Sequence, residues 1–87
     1  MRRVYKYSLC LVDYPQLIQM PGDAVVVHFA MQGEVPTIWV IVDPYSPIGR
    51  ARNFVIRGTG HDLDEKLHYI GTTQHGALVW HLFEEKQ

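Results

Sequence analysis

Apolar and polar residues alternate with a period of two along most of this chain, the mark of strands that bury one face. In RRVYKYSL, residues 2–9, the alternation puts Tyr5, Tyr7 and Leu9 on one side. Residues 24–43, AVVVHFAMQGEVPTIWVIVD, hold two β-branched and aromatic runs around Gln32-Gly33-Glu34. That pattern predicts a hairpin with the glycine at positive φ. A two-residue loop would gather Val25, Val27, Phe29 and Met31 with Ile38, Val40 and Val42 into a wholly apolar face, expected in the core. The opposite face would carry Val26, His28, Ala30, Thr37, Trp39 and Ile41; a three-residue loop would reverse the pairing.

Downstream, Arg52, Phe54 and Ile56 alternate against Asn53, Val55 and Arg57 in a further strand. KLHYIGTTQ and ALVWHLFEE predict a second hairpin, turning at His75-Gly76. Pro15 and Pro21-Gly22 punctuate the stretch between the first two strands and leave at most a short edge strand at Leu17 to Met20. Pro44 and Pro47 make residues 44–50, PYSPIGR, a loop. HDLDEKL, residues 61–67, has room for one helical turn, with Asp62 as its cap. The sum is a mainly β protein: a small antiparallel barrel or sandwich of about six strands, with at most one short helical turn.

Length and charge narrow the partners. The 87 residues make a single β-rich domain, residues 1–87. A chain this short buries only about 60–65% of the surface its unfolded form exposes. With 47% hydrophobic and 11% aromatic residues, part of the apolar surface is expected between subunits of a homo-oligomer. Eight Lys and Arg against nine Asp and Glu give a net charge of −1, which argues against duplex nucleic acid. Arg50, Arg52 and Arg57 still suffice for a small anion. The single Cys10 excludes an internal disulfide and a cysteine zinc site, and is expected as a buried, inert thiol. No apolar run approaches the ~20 residues of a membrane span and no signal peptide opens the chain, so no membrane is expected and the cytoplasm is the default compartment.

The stretch Arg57-Gly58-Thr59-Gly60-His61 carries the sharpest chemical question. Its glycines let backbone N–H groups approach an anion, Thr59 adds a hydroxyl and Arg57 can grip a phosphate. The same residues also suit a strand end that needs only a tight turn, and both readings stand. His61, His68 and His75 recur every seven residues, with His28 and His81 apart, a spacing that predicts no metal site. No cofactor is expected. His61 or His81 could do acid–base work, but no paired carboxylate, Ser-His-Asp order or Cys-His pair accompanies them, so catalysis is not the leading expectation. Trp39 and Trp80 are core or interface residues, or platforms for a stacked base worth about 1–3 kcal/mol. With His28 beside Trp39 and Arg50, Arg52 and Arg57 for phosphate, a nucleotide-sized pocket has its components.

The segments VYKYSL, IQMPGDAVVVHFAMQGEVPTIWVIVDP, NFVIRGTGHDL and YIGTTQHGALVWHLFEE together resemble a family of small phage and prophage proteins. Its members share Y-K-Y, an I-x-M-P turn, W-x-x-V-D, R-G-T-G-H or a close variant, Y-I-G-T-x-Q and W-H-x-F-E. The resemblance covers almost the whole chain and implies a phage accessory protein, present in the host cytoplasm during infection. By analogy of size and context it implies an anti-defence sponge that sequesters a small nucleotide-type immune signal without converting it. Trp39 or Trp80 would then meet base or ribose. Arg57, Gly58, Thr59 and Gly60 would hold phosphate, and His61 or His28 would add a polar contact, with Arg52 as a further cation. Two rivals stand beside it: a protein-binding inhibitor of a host defence effector, and a hydrolase or lyase working through His61 or His81.

Overall fold

Both predicted hairpins form, each on a two-residue loop opened by a glycine. Gln32 pairs with Val35 around Gly33-Glu34, and His75 with Leu78 around Gly76-Ala77. Gly33 and Gly76 hold φ of 60° and 61°, the left-handed start that type II′ hairpin turns demand and that side chains resist. In the computed structural model, which describes residues 1–86, these hairpins anchor two antiparallel sheets. The strands among the described residues are β1 (Arg3–Ser8), β2 (Gln16–Ile18), β3 (Val25–Gln32), β4 (Val35–Val42), β5 (Arg52–Gly58), β6 (Leu67–His75) and β7 (Leu78–Glu85). One sheet runs β1-β4-β3 and the other β2-β5-β7-β6. The sheets stack as a sandwich and do not close into a barrel. A shortest dimension of 16 Å leaves room for two layers about 10 Å apart and little more.

The core lies between the sheets. Ile38, Val40 and Val42 from β4 meet Phe54, Ile56 and Leu82 from β5 and β7, with Leu9, Met20, Ala24 and Phe29 filling the rest. Tyr5 and Tyr7 pack against it as the alternation of β1 predicts. At one side β3 lies along β6, where Gly71 comes close to Phe29 and the Met31 N–H donates to Thr73 Oγ1 at 3.4 Å.

Three expectations are corrected. The apolar face assigned to the first hairpin holds only from Phe29 onward. A bulge between Val26 and His28 inserts Val27 as an extra residue, which reverses the alternation before it. Val25 and Val27 are therefore 56% and 50% exposed, while Val26 packs against the core. Cys10 is exposed rather than buried. Its backbone is clamped by the carboxamide of Gln16, which accepts from Cys10 N–H and donates to Cys10 C=O, both at 2.7 Å. No helical turn forms at residues 61–67. Asp64 instead takes the Lys66 N–H on its carboxylate and the Leu67 N–H on its carbonyl, a compact turn leading directly into β6.

The proline-rich loop is fixed by a close approach of two glycines. Gly22 N–H donates to Pro47 C=O, Gly49 N–H donates to Met20 C=O, and a Cβ on Gly49 would lie 2.7 Å from Gly22 Cα. Because that neighbour is backbone, it cannot swing aside. Gly49→Ala is expected to cost about 1–3 kcal/mol, the usual range for overpacking, read as a lower midpoint in urea with an unchanged slope; an unchanged midpoint would mean the loop yields freely.

Candidate functional site

Strand β5 ends at Gly58, and the chain reverses at once. His61 N–H donates to Gly58 C=O at 3.2 Å, with Gly60 at φ 89° in the third position, as a type II turn requires. The His61 ring folds back so that its Nδ1 accepts from Gly58 N–H at 3.2 Å. A Cβ on Gly58 would sit 3.0 Å from that ring, so a larger residue there would press on the imidazole and have to displace it slightly. The stretch singled out by sequence is thus a turn, and two of its amides, those of Gly58 and His61, are already engaged.

The turn lies against the outer face of the four-stranded sheet. There Arg57, His81 and Thr72 stand in one row, and Val55, Phe83 and Tyr69 in the next. Thr59 Oγ1 and His81 Nε2 are hydrogen-bonded at 2.8 Å, His81 Nδ1 and Thr72 Oγ1 at 2.9 Å, and Thr72 Oγ1 meets the Tyr69 hydroxyl. This four-member relay ties the turn to the sheet. It closes one side of a cleft of about 380 Å³, lined by Arg57 through His61 with Leu63, Tyr69, His81 and Phe83. Tyr69 meets Phe83 edge-on, with centroids 5.7 Å apart, giving the cleft an aromatic floor.

Arg57 is the cleft's cation. Its Nη1 donates to Asp13 C=O at 3.0 Å and to Ile56 C=O at 3.3 Å. Among the described residues its Nε and Nη2 have no protein partner and no carboxylate pairs with it. Arg52 is in the opposite position. Its Nε and Nη2 donate to the two Glu84 oxygens at 2.7 Å each, and its Nη1 to Ala24 C=O at 2.8 Å. The Glu84 bond raises the pKa of Arg52 further, against the burial that lowers it.

The remaining sequence-predicted residues lie elsewhere. His28 and Trp39 do pair, with rings 5.5 Å apart, but on the outer face of the three-stranded sheet, across the sandwich from Arg57. Trp80 is on the inner face of β7, packed against the core, and its buried Nε1 has no partner among the described residues. It lines a cleft of about 440 Å³ on the other side of the same turn, with His61, Leu78 and Val79. The nucleotide-pocket assembly imagined from sequence, with Trp39, His28, Arg52 and Arg57 together, is therefore not brought together.

A larger hollow of about 560 Å³ lies at the far end of β5, between Met20, Gly22, Arg50, Arg52, Glu85 and Lys86. Its charges are mixed: Arg52 is spent on Glu84, and Glu85 lines the hollow together with Arg50 and Lys86. The cleft around Arg57 is smaller, but it combines a free cation, hydroxyls, imidazoles and an aromatic floor. On chemistry it is the stronger site. Sequence reasoning missed Tyr69, Thr72, Leu63 and Phe83 there.

Fold and site together define an all-β sandwich with a cleft on one outer face that sets one cation and a few polar groups against an apolar, aromatic lining. The chain belongs to the family described as Domain of unknown function (DUF7352), whose model matches residues 1–87. No curated protein and no solved structure matches it.

His61→Ala removes the acceptor for Gly58 N–H. Amide exchange at Gly58 is expected to quicken about five- to tenfold, the equivalent of one modest hydrogen bond, with exchange at Phe54 and Leu82 unchanged. Equal rates in both proteins would show that the ring does not hold the turn.

Proposed function

We propose that this protein binds a small nucleotide-type anion in the cleft around Arg57 and holds it without converting it. As a phage accessory protein in the host cytoplasm, it would thereby sequester an immune signal. The observation that carries the binding is Arg57 itself, a cation with two nitrogens unclaimed beside the Thr59 hydroxyl and an aromatic floor. Such a fork suits phosphate oxygens. The Y-K-Y, R-G-T-G-H and W-H-x-F-E motifs carry the resemblance to phage proteins, and the anti-defence role is added to it by analogy of size and context. Retention without turnover is supported by the setting of His81, whose ring nitrogens both meet threonine hydroxyls where a catalytic base would be oriented by a carboxylate.

Assembly as a homo-oligomer belongs to the same reading. On the outer face of the three-stranded sheet Val4 and Val25 flank Ile41, and Val27 bulges beside them, 61%, 56% and 50% exposed for the three valines. An apolar patch of this kind suits another protein surface. It equally favours a second reading, in which the patch grips a host defence effector and no small molecule is bound.

Protein purified from cells that make nucleotide immune signals, then heat-denatured, should release an intact nucleotide detectable by mass spectrometry. Arg57→Ala should release about 10- to 100-fold less, the loss of one charge-assisted contact, while keeping its melting temperature. If nothing is released, and purified signals neither bind nor change, the sponge reading fails and a protein partner is sought by pull-down. A converted product instead would point to the hydrolase or lyase.

A further inference from the structure

The relay below the turn has a directional property. A neutral imidazole donates from one ring nitrogen and accepts at the other. When His81 lacks the proton on Nε2, the Thr59 hydroxyl is spent donating to that nitrogen. When Nε2 carries the proton, it donates to Thr59 Oγ1, and the Thr59 O–H is released to point outward. The rest of the relay suits this second state, since Tyr69 can donate to Thr72 and Thr72 to Nδ1. The tautomer of His81 therefore decides whether the cleft offers a hydroxyl donor next to Arg57.

The charge around the cleft is limited in a second way. Arg57 is the sole Lys or Arg among its lining residues. Leu63, which also lines it, stands between Asp62 and Asp64, and Glu65 follows. The cations Arg50, Arg52 and Lys86 line the hollow at the other end of β5. A second or third phosphate would gain no cation here, and the chain that continues past Leu63 adds Asp64 and Glu65 rather than a further Lys or Arg before position 66. The volume of about 380 Å³ also falls near the small end of the roughly 300–1,000 Å³ typical of small-molecule sites.

We infer that the ligand is of the single-phosphate class, a nucleoside monophosphate or a compound of that shape. Its phosphate is held between the Arg57 guanidinium and the Thr59 hydroxyl, and its ring lies toward Tyr69 and Phe83. Binding fixes His81 as the Nε2–H tautomer. This rests on the nucleotide-binding reading above and adds the phosphate count and the donor.

The test is calorimetry on the intact protein with the four ribonucleosides, their 5′-monophosphates and their 5′-triphosphates, paired with ¹⁵N spectra of the His81 ring. At least one monophosphate should bind about tenfold or more tighter than both its nucleoside and its triphosphate, by loss of a charge-assisted contact in one case and like-charge repulsion in the other. The His81 signals should move to the Nε2–H pattern as it binds. Thr72→Val, which cuts the relay without removing Arg57 or Thr59, should weaken monophosphate binding several-fold and leave the tautomer mixed. A triphosphate that binds as tightly or tighter overturns the single-phosphate inference and leaves the nucleotide-binding reading standing. Monophosphate binding with no change at His81 overturns the placement at Thr59. If no member of the panel binds, the single-phosphate inference falls, while the nucleotide-binding reading stands or falls separately on whether purified protein releases a nucleotide.

Discussion

The pairing of β5 with β7 is the constraint on which the rest depends, because it is buried on both faces. Inside, Phe54, Ile56 and Leu82 form the centre of the core; outside, Val55 is 1% and Phe83 7% exposed. An antiparallel sheet in a two-layer sandwich ordinarily turns a polar face outward. An apolar outer pair needs a cover, and two pieces serve. Tyr69 lays its ring edge-on to Phe83, and residues 58–63 fold back over the same face. Such a cover must be anchored if it is not to fray. The relay through Thr59, His81, Thr72 and Tyr69 anchors it, with Arg57 reaching across to the Asp13 carbonyl. The cleft is the space this cover leaves, so the groups that hold the turn are also the groups that line the site.

The two arginines of β5 show how position along one strand sets chemistry. Arg52 faces inward at the end where the sandwich opens, and its fork is taken up by the two Glu84 oxygens and the Ala24 carbonyl. It seals the core, and its charge is already paired with a carboxylate. Arg57 faces outward at the other end and meets only two carbonyls, both through Nη1. The same side chain is a structural plug in one place and an unsaturated cation in the other. They stand five positions apart on the strand, an odd step that puts them on opposite faces as well as at opposite ends.

Much of the fold was legible in the alternation of the sequence. The two hairpins, the inward Tyr5, Tyr7 and Leu9, and the buried Ile38, Val40 and Val42 all follow from it. The bulge at Val27 was not legible, because three successive valines carry no mark of which one is extra. The site suffered from a smaller slip. A turn at His75-Gly76 would put His81 opposite Ile70, whereas the turn at Gly76-Ala77 puts it opposite Thr72. One residue of loop position moves every partner by two and hides the relay. Tyr69 was hidden further by the bulge at Ile70, which brings it opposite Phe83. The alternation along β5 puts Arg52 and Arg57 on opposite faces, which argues against placing both on one phosphate. That Trp39 and Arg57 stand on opposite outer faces depends on sheet order, which pairing patterns within one strand do not encode.

The central claim is that a small anion meets this protein at the turn between Gly58 and His61. An amide and side-chain NMR titration of the ¹⁵N-labelled protein with a 5′-mononucleotide tests it most directly. The account requires shifts centred on residues 57–63, Tyr69, Thr72, His81 and Phe83, with His28, Trp39 and the Arg50–Lys86 end silent. Shifts centred on that far end, or on the Trp39 face, would contradict it.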